Sequence, residues 1–154
     1  MNNNSKFSKE DIHFRKAEGF DIAAMKMLEE QLGYPIETVK IIQRFEEILA
    51  AGDVIMVAEF RSKVIGMILL HRTYFLHRPP DGRISTLVVD EKFRGSGIGK
   101  LLLDKAEAVF LKWGCRRIEV TSGKDRIEAH NFYMKAGYNE YPKRFRKLLY
   151  PDAI

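Results

Sequence analysis

The segment Arg94-Gly95-Ser96-Gly97-Ile98-Gly99-Lys100 carries the residue types best suited to holding a ligand in this chain of 154 residues. Three glycines in five positions leave a backbone free to take positive φ and to approach a ligand closely. Their N–H groups, with the unsatisfied donors of a following helix's first turn, make a site for phosphate oxygens. Arg94 and Lys100 add positive charge beside it. Spacing limits which phosphate ligand fits. A P-loop needs G-x-x-x-x-G-K-[S/T], whereas Gly99-Lys100 is followed by Leu101 and the position five before Gly99 is Arg94. A dinucleotide fingerprint needs G-x-G-x-x-G at the opening of a first strand–helix unit. This loop reads G-x-G-x-G late in the chain, and Glu119, twenty residues beyond Gly99, falls inside a predicted strand. An unliganded glycine turn is the competing reading, and the elements on either side count against it.

Those elements are legible from hydrophobic periodicity. Arg83 to Asp90 reads as a strand, and its Leu87-Val88-Val89 suggests burial on both faces. After the loop, Ile98, Leu101, Leu102, Ala106, Val109 and Trp113 recur at helical spacing, with Lys100, Asp104, Lys105 and Lys112 between them. Gly114 stands where a helix C-terminal cap belongs. Arg117 to Thr121 follows as a strand, which completes a strand–helix–strand unit with parallel strands and a right-handed crossover.

Upstream, His13 to Ala17 reads as a strand and Asp21 to Leu32 as a helix with Ile22, Met25, Leu28 and Leu32 on one face. Gly33-Tyr34-Pro35 interrupts, and Glu37 to Ala50 forms a second helix on Ile41, Phe45, Ile48 and Leu49. Val54 to Phe60 and Val64 to Phe75 read as a hairpin joined by Arg61-Ser62-Lys63, and Pro79-Pro80-Asp81-Gly82 as a turn. Arg126 to Lys135 is a shorter helix closed by Gly137, and Tyr138 to Leu149 is expected to return as one or two strands. No repeat or linker interrupts this α/β pattern, so residues 9–154 are expected to form one domain behind a flexible tail over 1–8.

Composition narrows the class. Apolar residues make up 45% and charged residues 31%, values of a globular chain with a packed core. No apolar run has the ~18 residues of a membrane span, and the start Met1-Asn-Asn-Asn-Ser-Lys lacks a secretory apolar block. A cytoplasmic protein is expected. The single cysteine, Cys115, fits a reducing compartment, and its place before a strand favours a small buried hydrophobe over a nucleophile. A net charge of +5 suits an anionic ligand or nucleic acid and decides neither.

Two motifs carry a resemblance. The run V-V-D-E-K-F-R-G-S-G-I-G-K resembles the cofactor motif of the GNAT acetyltransferases, R/Q-x-x-G-x-G/A, with Arg94, Gly97 and Gly99 in its fixed positions. About thirty residues later, Ala129, Phe132, Tyr133, Lys135, Gly137 and Tyr138 match the family's A-x-x-F/L-Y-x-K-x-G-F/Y. The resemblance implies a mixed sheet with splayed parallel strands, flanked by about four helices. It implies acetyl-coenzyme A as cosubstrate, its pyrophosphate held by backbone groups from Gly95, Ser96, Gly97, Ile98, Gly99 and Lys100 beside Arg94. Its pantetheine arm would pair with Leu87, Val88 and Val89 by strand addition. Tyr133 would be the general acid toward the departing thiolate, and Asn131 or Lys135 would reach the coenzyme from the same helix. Where the family often has asparagine seven residues before that tyrosine, this chain has Arg126.

The expected reaction is acetyl transfer to a primary amine by direct attack in a ternary complex, with no metal. The amine must be neutral to attack, and an alkylamine has a pKa of about 10.4, so a base is required. Many family members carry an acidic residue on the strand before the loop, where this chain has Ser85 and Thr86. His71, Glu59 and Glu119 are the candidates, none distinguished by the sequence. The acceptor, small molecule or peptide, would meet the first two helices, Tyr74 to His77, and the region of Tyr141 and Phe145. The family allows a homodimer. Competing functions are a non-catalytic acyl-coenzyme A sensor, which would not need Tyr133, and a nucleotide- or nucleic-acid-binding module. The latter would use the basic Lys143-Arg144-Phe145-Arg146-Lys147 and leave the glycine loop unexplained.

Overall fold

The computed structural model describes residues 7–141 and 144–150, and the chain divides into two compact units, the first ending at Thr121 and the second beginning at Ser122. The first unit is built on a five-stranded sheet in the order β1-β2-β3-β4-β5. These are β1 (Ile12–Lys16), β2 (Val54–Phe60), β3 (Lys63–Thr73), β4 (Asp81–Val89) and β5 (Ile118–Val120). Its first three pairings are antiparallel and β4–β5 is parallel. Helices α1 (Ile22–Gln31) and α2 (Thr38–Ala50) separate β1 from β2, and α3 (Ile98–Lys112) is the crossover from β4 to β5. The sheet is therefore mixed, as expected.

Side-chain alternation assigns the two faces. Met25 and Leu28 of α1 and Ile41 and Phe45 of α2 pack with Ile55, Val57, Val64, Met67 and Val88. Leu49, expected on that face, is exposed. The opposite face belongs to α3, which buries Ile98, Leu102, Leu103, Ala106 and Phe110. Leu101, Val109 and Trp113, expected inside, are only partly buried, because Leu103 and Phe110 turn the helix about one residue further round. The Cys115 thiol is buried, and desolvation raises its pKa.

Two turns depart from their sequence signals. The β2–β3 turn places Arg61 and Ser62 at φ +49° and +61°, the mirror-image hairpin turn that suits strand twist and usually takes asparagine and glycine. Asp81 and Gly82, expected in a turn, instead begin β4. Asp81 is buried against Arg78, 2.5 Å away, and its pKa is lowered mainly by that hydrogen bond. Gly82 permits contact with α3, since a Cβ there would lie 2.4–2.7 Å from the Phe110 ring. Phe110 is itself 1% exposed and has no room to retreat. Gly82→Ala is expected to cost about 1–3 kcal/mol of stability as overpacking, measured as a lower urea midpoint at unchanged m-value.

The Arg15 guanidinium joins β1, β2 and the entry to α1. It donates to both oxygens of Asp21 (2.7 and 2.8 Å) and to Glu59 (2.7 and 3.0 Å). Asp21 is 3% exposed, and its pKa is lowered, first by the Arg15 hydrogen bond. That contribution is complete above the unfolded carboxyl value of about 4 and is lost as pH falls through the lower folded value. Arg15→Ala is expected to cost about 2–3 kcal/mol near neutrality, less than the ~3–5 of a fully buried pair because Arg15 is partly exposed. Unfolding midpoints between pH 7 and acid should show that acid-sensitive part missing from the variant.

The second unit contains α4 (Ile127–Lys135), followed by the C-terminal segment. Among the described residues of Tyr138–Leu149 none is in a strand, which corrects the expected return. Its many charges and exposed apolar groups, Phe145 and Leu149 among them, have no strand partner there. Residues 142 and 143 lie outside the described residues, as do residues 1–6 of the expected tail. Phe7, also assigned to that tail, packs its ring 5.3 Å from Phe60 and 5.8 Å from Phe93.

Candidate functional site

In the first unit the glycine loop lies between β4 and α3. Asp90 caps a short 3₁₀ turn, Glu91–Phe93, through the Lys92 N–H, and Arg94 leaves it in extended conformation. Gly95 and Gly97 take φ +75° and +87°, left-handed conformations that glycine adopts without steric cost. Gly97 is the N-cap of α3 and supplies no side-chain cap. The first-turn amides of Ile98, Gly99 and Lys100 thus face outward at the positive end of a helix of 15 residues.

The loop's side chains do more local work than their charges suggested. Arg94 Nε donates to the Val89 carbonyl at 3.1 Å, tying the loop to the end of β4. Ser96 Oγ donates to the Phe93 carbonyl, and Lys100 is ion-paired with Asp104 one turn on. Lys9, which no sequence pattern singles out, brings its Nζ to 2.6 Å from where a Gly97 Cβ would stand.

Beside the loop, β4 has an open edge among the described residues. Its pairing with β5 covers only Gly82, Arg83 and Ile84, while β4 continues to Val89. Asp90 donates to the Ile65 carbonyl at 2.8 Å. By the two-residue alternation of an antiparallel ladder, Val88 also turns its amide toward β3. The amides of Leu87 and Val89 then point to the side β5 has left. Val88 itself is 4% exposed, so of the three expected strand residues it contributes packing while its neighbours contribute backbone groups.

Where β4 and β5 part, the β3–β4 register shifts. Leu70 opposes Ile84 and Leu69 opposes Thr86, which leaves Ser85 without an opposite residue. Such bulges re-aim a side chain. Ser85 is exposed, and its Oγ lies 2.6 Å from His71 Nε2; His71 Nδ1 lies 2.7 Å from Asp53 Oδ2. The sequence named His71 as one of three bases and missed Asp53 and Ser85 as its partners. Of the other two, Glu59 is engaged by Arg15, and Glu119 is exposed on β5.

In the second unit, Tyr133 sits on α4 with its ring 5.2 Å from Phe132 and 5.6 Å from Tyr138. Burial pushes its pKa up to about 12, against a smaller lowering by Arg126. Gly137, at φ +91°, ends the helix, and the Tyr138 amide bonds back to the Tyr133 carbonyl at 3.0 Å. Asn131 and Lys135 are exposed on the same helix.

Comparison with known proteins bears on the family and the fold. The model of the acetyltransferase (GNAT) family matches residues 21–138. An aminoalkylphosphonate N-acetyltransferase of Salmonella typhimurium is 39% identical over 89 residues, 57% of this chain and 58% of its own length. The chain thus spans little more than half of that relative. An uncharacterized N-acetyltransferase of Chlorobaculum tepidum is 29% identical over 135 residues, 88% of this chain and 80% of its own. Among solved structures, an acetyltransferase of Trypanosoma brucei superposes with a TM-score of 0.78 at 24% identity, covering 90% of this chain and 100% of its own. A transcriptional regulator from Bacillus halodurans gives 0.81 at 23% identity, covering 90% and 99%. These structural likenesses establish the fold. No helix among the described residues is long and apolar enough to cross a membrane.

Proposed function

The chain belongs to the GNAT family of acetyltransferases, and from that premise we propose that it transfers the acetyl group of acetyl-coenzyme A to a primary amine. The observation that carries the proposal is the junction of an uncapped helix N-terminus with an open strand edge, within one loop of each other. The groups present suit the two halves of the cosubstrate. The amides from Gly95 to Lys100 would hold its pyrophosphate, with Arg94 adding charge. Leu87 and Val89 would pair with the amide-bearing pantetheine arm. Asn131 is assigned a polar contact to the coenzyme. Tyr133, protonated at any working pH, is assigned the hydrogen bond to the leaving thiolate.

Transfer is direct, with amine and thioester bound together, so that proximity supplies much of the acceleration. The acceptor class is a small-molecule or peptide amine, and the working compartment is the cytoplasm. The test is calorimetric titration with acetyl-coenzyme A, followed by thiol-release assays over a panel of primary amines. An aminoalkylphosphonate belongs in the panel because the relative that is 39% identical is named for that substrate. Binding followed by acetylation of at least one amine is the expected result. A folded protein that does not bind acetyl-coenzyme A removes the proposal.

A further inference from the structure

We propose that Asp53, His71 and Ser85 form the proton relay that neutralises the attacking amine, an assignment that rests on the acetyl-transfer reading above. The three come from separate places: the α2–β2 connection, β3 and the β4 bulge. Yet their polar atoms lie in line at 2.7 and 2.6 Å. Chemistry fixes the direction of the chain. An ionised carboxylate can only accept, so Nδ1 carries the proton toward Asp53. Neutral His71 then presents a lone pair at Nε2, and the hydroxyl of Ser85 must donate to it. The imidazole is thereby oriented as a base, with Ser85 Oγ as its exposed outer end.

Position makes this end the one that counts. Ser85 is the first residue past the last β4–β5 pair, Ile84 with Val120, and two residues before the open edge at Leu87. A side chain there stands beside the track assigned to the thioester. Around the ring the charged groups are Asp53 and, as its register partner on β4, Arg83, which reaches Thr121 at 3.4 Å. The buried side chains of α1 and α2 are Met25, Leu28, Ile41 and Phe45, and α1 also carries the half-buried Glu29, whose pKa is raised by burial against a smaller lowering by Arg44 of α2. The Asp53 carboxylate is the charge in direct contact with the ring.

The acceptor's ammonium gives a proton to Ser85 Oγ while the Ser85 hydroxyl proton passes to His71 Nε2. The neutral nitrogen then bonds to the acetyl carbon and the carbon–sulfur bond breaks. The second N–H proton leaves with the thiolate as thiol, and the imidazolium returns its proton to water. Ser85 touches the amine; His71 and Asp53 act through it as positioning residues.

The experiment compares wild type with Ser85→Ala, His71→Ala and Asp53→Asn. Each is first shown to bind acetyl-coenzyme A as wild type does. Each is then assayed with the alkylamine of the panel that wild type acetylates and with hydroxylamine, which is already neutral at neutral pH. His71→Ala should lose about 10²-fold in kcat with the alkylamine, a typical general-base contribution, and little with hydroxylamine. Its rate with the alkylamine should follow that amine's own ionisation as pH is raised. Asp53→Asn and Ser85→Ala should show the same selectivity between acceptors. Nitrogen NMR of His71 should report the Nδ1–H tautomer in wild type.

Equal losses with both acceptors would mark a structural role and overturn the relay while leaving the transferase reading intact. An Nε2–H tautomer would overturn it as well. So would an acetyl group found on Ser85 after incubation with acetyl-coenzyme A alone, because Ser85 would then be the nucleophile. A protein that binds acetyl-coenzyme A and acetylates no amine overturns the transferase reading, and the relay falls with it.

Discussion

Phenylalanine at position 133 is expected to lower kcat by about 10²- to 10⁴-fold, the range of a lost general acid, with acetyl-coenzyme A affinity unchanged. The phenol's pKa is raised to about 12 by burial, whereas an ordinary thiol ionises near 8.5. Full proton transfer to the thiolate therefore runs uphill, and most of the benefit is a hydrogen bond strengthened as charge develops on sulfur. Removing only the hydroxyl keeps the ring contacts with Phe132 and Tyr138, so a loss in kcat reports chemistry. A variant with undiminished turnover would return Tyr133 to a packing role and bring the coenzyme-sensor reading forward.

Burial also gives Tyr133 a stability signature. The unfolded chain ionises this group first, near pH 10, so its contribution is complete below that value. It is lost as pH rises toward the folded value of about 12. Unfolding midpoints measured across that interval should fall more steeply for wild type than for Tyr133→Phe.

Tryptophan at position 97 is expected to weaken acetyl-coenzyme A binding at least 100-fold, a loss of about 2.8 kcal/mol or more. Gly97 holds φ +87° at the cap of α3, and any side chain there meets two obstacles. Backbone strain costs about 1–2 kcal/mol for a residue with a Cβ. The neighbouring group is the far end of Lys9, 2.6 Å from the Cβ position, and a lysine end can swing aside. Gly97→Ala should therefore bind more weakly than wild type but measurably. The indole of Gly97→Trp would in addition cover the first-turn amides, and binding should disappear. Thermal unfolding of both variants separates occlusion from loss of fold. A folded Gly97→Trp protein that binds as tightly as wild type would show that the α3 terminus is not the phosphate site.

The chain's local chemistry determined most of the elements and one half of the candidate site. Glycines at 95, 97 and 99, followed by the periodic run from Ile98, specify a turn and a helix start wherever they occur. Backbone permissiveness and amphipathic spacing act within a few residues. Strand β4 and the closing Gly114 and Gly137 were legible for the same reason. Tertiary structure decided what depends on partners distant in sequence. Gly82 reads as a turn residue and becomes a strand residue because Phe110, on another element, occupies the space a Cβ would need. The face of α3 is set by Leu103 and Phe110 meeting the sheet. The tail from Tyr138 alternates no more regularly than a loop, and no sheet edge takes it up among the described residues.

The base shows the division most plainly. His71 stood in the sequence as one polar residue in an apolar strand, indistinguishable from Glu59 or Glu119. Arg15 claims Glu59, solvent takes Glu119, and a one-residue register shift aims Ser85 at His71 while the end of α2 delivers Asp53. Hydrogen bonds between residues 14 and 18 positions apart are fixed by strand pairing and a bulge, which no short-range pattern encodes.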